Sequence, residues 1–230
     1  YWIFNLTFMK NVVIIGSGSD LSKEFVKQID KNEYKVYFIS REESMPQNQN
    51  KLTVDDYENE LNSITAFIDD ISNPYLIFFN GYLKENRPTK IPSDNEVLDT
   101  FKINFYIPYL IINNINKENF KRIIIISTVA AIKPRLKNYI YGISKSLLEK
   151  FLIKSGIENY LIIRFGFIYS KMSQKHDPAP FAIEKSDAAK FIIKSLSNNK
   201  NLIYYPKVLF IISLIFKIVP SSLLDKIENK

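Results

Sequence analysis

Short apolar runs recur along the chain, separated by stretches in which apolar residues return every three or four positions. The runs are Val12 to Ile15, Lys35 to Ile39, Tyr75 to Phe79, Arg122 to Ile126, Tyr160 to Ile163 and Leu202 to Tyr205, with a weaker one at Lys51 to Val54. Unbroken apolar segments of this length predict parallel strands covered on both faces. Helical patterns predict helices over Asp20 to Ile29, Glu58 to Ile71, Asp94 to Ile115, Tyr139 to Ser155 and Asp187 to Leu196. The alternation of the two predicts an α/β fold built on a doubly wound parallel sheet of the Rossmann type. No repeat, low-complexity block or linker divides the chain, so one domain is expected.

Composition narrows the chemistry. The chain has 230 residues, 46% of them hydrophobic, enough for one large two-sided sheet core. It has no cysteine, which excludes disulfides, and His176 is its one histidine, so no metal site is expected. The net charge of +7 suits an anionic substrate, a phosphorylated cofactor or an acidic membrane surface, and equally suits plain solubility. No nucleic-acid partner is expected. Tyr1 to Phe8 are apolar and aromatic but too few to span a bilayer, and they lack the basic start and cleavage site of a signal peptide. Met9 directly precedes the first strand, so residues 1–8 read as an upstream extension.

Several motifs fall at predicted strand ends. Gly16-Ser17-Gly18-Ser19-Asp20-Leu21-Ser22 follows the first strand and opens a helix, where small residues let backbone amides approach a pyrophosphate. Gly16, Ser17, Ser19, Asp20 and Leu21 are the candidates there, and a tight turn is the plainer reading. Ser40-Arg41 ends the second strand with no acid to hold a free ribose 2′-hydroxyl, and Arg41 can hold a 2′-phosphate. That favours NADP(H), with NAD(H) as the alternative; Glu42 and Glu43 follow, so a solvated surface arginine competes with this role. Asn80-Gly81 closes the Tyr75 strand at the rim where a cofactor's nicotinamide ribose would lie, and a simple turn signal is its plainer reading. Asn104 interrupts an apolar helical pattern and is either solvent-facing or buried for a purpose.

The sharpest constellation is Tyr141-Gly142-Ile143-Ser144-Lys145, with Thr128 thirteen residues before the tyrosine at the end of a strand. A tyrosine and a lysine four apart share one helix face. Tyr139, six residues from Lys145, falls on another face. A phenol ordinarily has a pKa of about 10, and a neighbouring cation lowers it by favouring phenolate. Tyr141 can then donate a proton, Lys145 can tune it, and Thr128 can hold a carbonyl oxygen.

On these residues the chain resembles the short-chain dehydrogenase/reductase family, from Lys10 to about Pro206. The resemblance implies that residues 9–206 form a dinucleotide-binding catalytic domain. It implies an acid/base role for Tyr141, a nicotinamide-ribose and tuning role for Lys145, and carbonyl binding by Thr128. It further implies that Asn104 supports a proton relay, that Asp55 lies near the adenine, and that Ile168 and Ser170 face the nicotinamide carboxamide. The chain departs from the family fingerprint at Asp20 and Ser22, where glycines are usual, and at Phe165 and Thr128, where proline and serine are usual. Asp20 is expected either to repel phosphate or to cap the helix that starts there.

The tail adds Asp177-Pro178-Ala179-Pro180-Phe181 and, after Pro206, an apolar run from Val208 to Val219. This layout is similar to bacterial reductases of a polyprenyl-phosphate-linked 2-keto-pentose, which implies a keto-sugar substrate and a role in envelope glycan synthesis. Residues 207–230 are expected to form an apolar helix and tail. The 12-residue run would be about 18 Å long as a helix, short of the roughly 30 Å hydrocarbon core. It is expected to lie in a membrane interface, or else to pack on the domain or a dimer partner.

The reading is therefore a cytoplasmic NADPH-dependent ketoreductase acting on a lipid- or nucleotide-linked keto-sugar, peripheral to the membrane through 207–219. The resemblance also implies a homo-oligomer, a dimer or tetramer built through the Asp94 and Tyr139 helices. A generic carbonyl or acyl reductase, an NAD-dependent sugar epimerase and a non-catalytic dinucleotide-sensing protein are the alternatives. His176 falls in the expected substrate loop, where a plain surface-loop histidine is the simpler reading.

Overall fold

The structure, a computed structural model, describes residues 9–41, 50–84 and 91–220. The expected extension 1–8, Glu42, Glu43 and the end of the tail lie outside the described residues.

The apolar runs become strands β1 (Lys10–Ile15), β2 (Tyr34–Ser40), β3 (Lys51–Thr53), β4 (Tyr75–Phe78), β5 (Arg122–Thr128) and β6 (Tyr160–Phe165). Two short strands that the sequence pattern missed follow, β7 (Ile168–Tyr169) and β8 (Ile183–Glu184), and then β9 (Leu202–Tyr205). Seven strands form one parallel sheet in the order β3-β2-β1-β4-β5-β6-β9, while β7 and β8 pair separately. The helices are α1 (Asp20–Gln28), α2 (Leu61–Asp69), α3 (Asp94–Phe101), α4 (Ile107–Asn114), α5 (Tyr139–Lys154), α6 (Lys185–Ser195) and α7 (Val208–Ile218).

The unbroken apolar runs have a simple cause. Alternate residues of a strand face opposite ways, and both faces of this sheet are covered. Val13, Ile15, Leu76, Phe78, Ile123 and Ile125 pack under α2, α4 and α5, against Ile64, Ile68, Ile111, Leu148 and Leu152. Val12, Ile14, Ile77, Ile124, Leu161 and Ile163 pack on the other side against Phe25 of α1 and Ala188 and Ile192 of α6. Each fully buried Val, Leu, Ile or Phe side chain contributes about 1.5–3 kcal/mol.

Two helices differ from their predicted spans. The first turn expected from Glu58 is instead a loop closed by acidic side chains: Asp56 accepts the amides of Glu58 and Asn59, and Glu60 accepts those of Asp55 and Asp56. The helix predicted from Asp94 to Ile115 is continuous but changes pitch, with a π-helical stretch at Lys102–Tyr106 between α3 and α4. Pro108 has no N–H to offer the carbonyl of Asn104, which loosens the ladder there, and Ile107 bonds Lys102 instead. A capping box of Ser93 and Glu96 fixes the start of α3.

Candidate functional site

The strand order reverses between β1 and β4, so a crevice opens at the carboxyl ends of the strands, the usual ligand position in an open α/β sheet. A cavity of about 980 Å³ lies there. It is lined by the turn after β1, the residues after β4, the end of β5, the first turns of α5, the segment after β6 and one face of α7.

The turn after β1 is tight because Gly16 adopts φ +82° and its Cα approaches the backbone of Asn80; a Cβ would lie 3.0 Å from the Asn80 nitrogen. Ser19 caps α1 by accepting the Ser22 amide at 3.1 Å. Ser22, which stands where the family fingerprint has glycine, is fully buried and donates to the carbonyls of Ser17 and Ser19 at 2.7 and 2.8 Å. It thereby braces the turn from within. Asp20 does not cap the helix, as one expectation had it, because Ser19 already does. Its carboxylate instead accepts the backbone amide of Lys171 at 2.8 Å and latches the loop after β7 onto the glycine turn.

Lys145 is 4% exposed and donates to the main-chain carbonyls of Asn80 at 2.9 Å and Ile126 at 3.1 Å. It thus joins α5 to the ends of β4 and β5. Burial pulls its ammonium down to about 8, against an opposing pull from the Glu149 carboxylate. Tyr141 lies one turn earlier on the same face and opens onto the same cavity, whereas Tyr139 is not part of its lining. Burial pushes the Tyr141 phenol up to about 12. The expected lowering is therefore not a property of the protein alone, in which the phenol is a firmly protonated acid. Thr128 sits at the end of β5 in the cavity wall, and its hydroxyl accepts the Ala130 amide at 3.2 Å. Gly142 is required for the close packing of α5, since a Cβ would meet the Ala130 carbonyl at 2.7 Å.

Asn104 is fully buried on the π-helical stretch. Its amide pairs with both backbone groups of Tyr82, accepting from N and donating to O at 2.8 Å each. It also donates to the Ser144 hydroxyl at 3.1 Å, which in turn donates to the Tyr141 carbonyl at 2.8 Å. Asn104 therefore ties the loop after β4 to the turn of α5 that carries Tyr141.

The structure brings Ser19, Asp20, Leu21, Asn80, Gly81, Thr128, Tyr141, Lys145, Ile168 and Ser170 onto one cavity. Gly16 and Ser17 lie beneath it, and Asn104 stands behind it. Arg41 and Asp55 are exposed at the ends of β2 and β3, outside the lining. His176, in the loop between β7 and β8, lines the cavity and is half-buried, which agrees with the substrate-loop expectation. Sequence reasoning missed Lys133, Arg135 and Lys137, a basic stretch at the cavity mouth whose alternating cations stand just before Tyr141. It likewise missed that Leu209, Ile212 and Phe216 of α7 form an apolar wall. Lys133 donates to the carbonyls of Phe216 and Val219 and pins the C-terminal end of that helix.

The residues fit a dinucleotide. Ser17 Oγ and Asn80 Oδ1 are buried beside the glycine turn without a partner, which polar groups tolerate when a ligand supplies one. The turn opens on the N-terminus of α1, where backbone amides favour phosphate. The carboxylate of Asp20 is the one misfit.

Comparisons with known proteins agree on the architecture. A short-chain dehydrogenase from Burkholderia cenocepacia J2315, in complex with NADP, superposes with a TM-score of 0.78 over 94% of this chain and 96% of its own, at 14% identity. The fold is the short-chain dehydrogenase fold. An aldohexose dehydrogenase from Thermoplasma acidophilum shares it with a TM-score of 0.69 over 89% of this chain and 95% of its own, at 14% identity. ElxO with NADP bound gives 0.69 over 88% of this chain and 100% of its own, at 16% identity. An uncharacterized oxidoreductase of Mycobacterium tuberculosis (strain ATCC 25618 / H37Rv) is 31% identical over 91 residues, 36% of this chain. The match spans 36% of that relative's length. No family model matches the chain.

Proposed function

We propose that the protein is an NADPH-dependent ketoreductase acting on a keto-sugar carried on a lipid phosphate or nucleotide. The carrying observation is that Tyr141, Lys145 and Thr128 line one cavity at the switch point of the sheet, beside unpartnered Ser17 and Asn80. NADPH, when bound, supplies the hydride. The glycine turn with Ser17 and Ser19, together with Asn80, Gly81, Ile168 and Ser170, would hold it, and Arg41 would meet the 2′-phosphate. Asp55 belongs to the adenine end on this reading. Thr128 orients the carbonyl oxygen and Tyr141 donates the proton to it. Lys145, anchored on two carbonyls one turn from Tyr141, would supply the positive charge that favours phenolate once the cofactor is bound. Asn104 holds the helix turn that presents Tyr141.

The substrate class rests on the cavity's two characters. Lys133, Arg135, Lys137 and Lys171 give it a basic rim suited to phosphate, and α7 gives it an apolar wall suited to a hydrocarbon chain. One relative in fold is an aldohexose dehydrogenase, which supports a sugar. The outward face of α7 exposes Phe210, Ile211, Leu214, Ile215 and Ile218. No helix among the described residues is long and apolar enough to cross a membrane, so this face would rest on the cytoplasmic surface of the bilayer. Exposed Leu98 on α3 and Ile143, Leu147 and Ile153 on α5 support association of copies through those helices, and the mass in solution tests this.

The experiment is a screen of NADPH and NADH oxidation with polyprenyl-phosphate keto-sugars, nucleotide keto-sugars and small ketones. Turnover with the first two classes is expected, faster with NADPH. Activity confined to small ketones would reject the glycan reading. Flotation with anionic liposomes, with and without residues 207–230, tests the membrane contact.

A further inference from the structure

Glu149 lies one turn beyond Lys145 on the same face of α5 and is 2% exposed. A buried carboxylate is costly unless several donors hold it. Here three do. Ser127 Oγ donates to Oε1 at 2.5 Å, Arg164 Nε donates to the same oxygen at 2.9 Å, and the Arg164 Nη2 group pairs with Oε2. Arg164 is held in turn by the Tyr204 hydroxyl at 2.5 Å. The clamp therefore runs from α5 through β5 and β6 to β9. No group of the clamp takes part in the proposed proton transfer.

Its placement gives it a use. Ser127 directly follows Ile126, whose carbonyl receives the Lys145 ammonium, and directly precedes Thr128. One carboxylate thus fixes the strand end that carries both the lysine's acceptor and the candidate carbonyl-binding hydroxyl. Lys145 otherwise meets the carbonyls of Asn80 and Ile126, with Tyr141 one turn earlier on its own helix; Arg164 and Tyr204 stand behind Glu149, and Asp20, Lys133 and Lys171 line the same cavity.

We propose that Glu149 is a positioning residue: clamped by Ser127 and Arg164, it fixes the end of β5 that receives the Lys145 ammonium and stands as the buried counter-charge one helical turn from it. This rests on the ketoreductase reading only for its catalytic consequence. The direction of the Lys145 titration agrees, since Glu149 is the one charge that opposes the burial pulling the lysine down.

The test reads Lys145 directly in the full chain without turnover. Trace acetylation across a pH series, followed by mass spectrometry of the Lys145 peptide, gives its titration midpoint. Glu149→Gln is expected to lower that midpoint by about one pH unit. The double variant that adds Arg164→Gln strands no charge and serves should the single variant fail to fold; it is expected to show the same drop, so the drop cannot come from a freed guanidinium. A merely structural ion pair would reduce thermal stability in either variant and leave the midpoint where it was, and that result overturns the proposal. Absence of turnover in the wild-type protein would reject the ketoreductase reading while leaving this titration to decide the role of Glu149.

Discussion

The ammonium of Lys145 donates to the main-chain carbonyl of Asn80 at 2.9 Å, so the helix that bears Tyr141 is tethered to the residue that also walls the glycine turn. A charge held this way must still pay for burial, and burial brings Lys145 down to about 8. If catalysis needs the ammonium, kcat/KM for the cofactor, which reports the free protein, should fall as pH rises through about 8. A profile flat to well above that value would argue against the tuning role. The sign for stability is opposite. The folded lysine loses its proton at about 8 and the unfolded one at 10.5, so the unfolded chain binds more protons between them. Lys145 alone should make the protein more stable with rising pH in that window, and Lys145→Met should remove that slope in denaturant titrations.

Asp20 occupies the mouth of the α1 amides with a negative charge. A phosphate brought there meets like-charge repulsion as well as the helix terminus. Asp20→Ala is expected to tighten NADPH binding about three- to tenfold, a gain on the order of 1 kcal/mol. The change also removes the latch to the Lys171 amide, so proteolysis within residues 171–182 should become faster. Fluorescence titration of NADPH and limited proteolysis check the two halves.

Arg41 stands exposed at the end of β2, where a 2′-phosphate would arrive. Arg41→Ala should weaken NADPH binding about tenfold or more and leave NADH within about twofold, consistent with one lost charge-assisted hydrogen bond. Equal losses for both dinucleotides would remove the basis for preferring NADP.

Asn104 satisfies both backbone groups of Tyr82 from a buried position. Asn104→Ala leaves that donor and acceptor without partners, and each costs about 1–3 kcal/mol. The variant should unfold at clearly lower denaturant concentration, and turnover should fall further than folding alone explains because the Ser144 link to Tyr141 is lost. Asn104→Asp keeps the acceptor for the Tyr82 amide and should lie between the two.

The sheet was legible because two-sided burial writes itself as unbroken apolar runs, as in Val12 to Ile15 and Ile123 to Ile126. Tyr141 and Lys145 were legible because helical spacing alone places them on one face. Asn104 was ambiguous for a physical reason: an ideal helix pattern gives no sign of a π-helical stretch, although Pro108 four residues on was a clue. The pairing of Asp20 with Lys171 spans 151 residues and has no local signature. The same holds for the inner face of α7, whose apolar residues look alike whether they meet solvent, lipid or a cavity. Glu149 was within reach, since it continues the Tyr141 and Lys145 face by one more turn, but only Ser127 and Arg164 reveal why a carboxylate is tolerated there.

The central claim is that the Tyr141 phenol gives up its proton to a substrate oxygen, and its replacement by phenylalanine tests this most directly. Turnover in Tyr141→Phe should fall by about 10²- to 10⁴-fold, while NADPH affinity and folding stay within about twofold of the wild-type protein. A Tyr141→Phe protein that turns over the same keto-sugar at the wild-type rate would contradict the account.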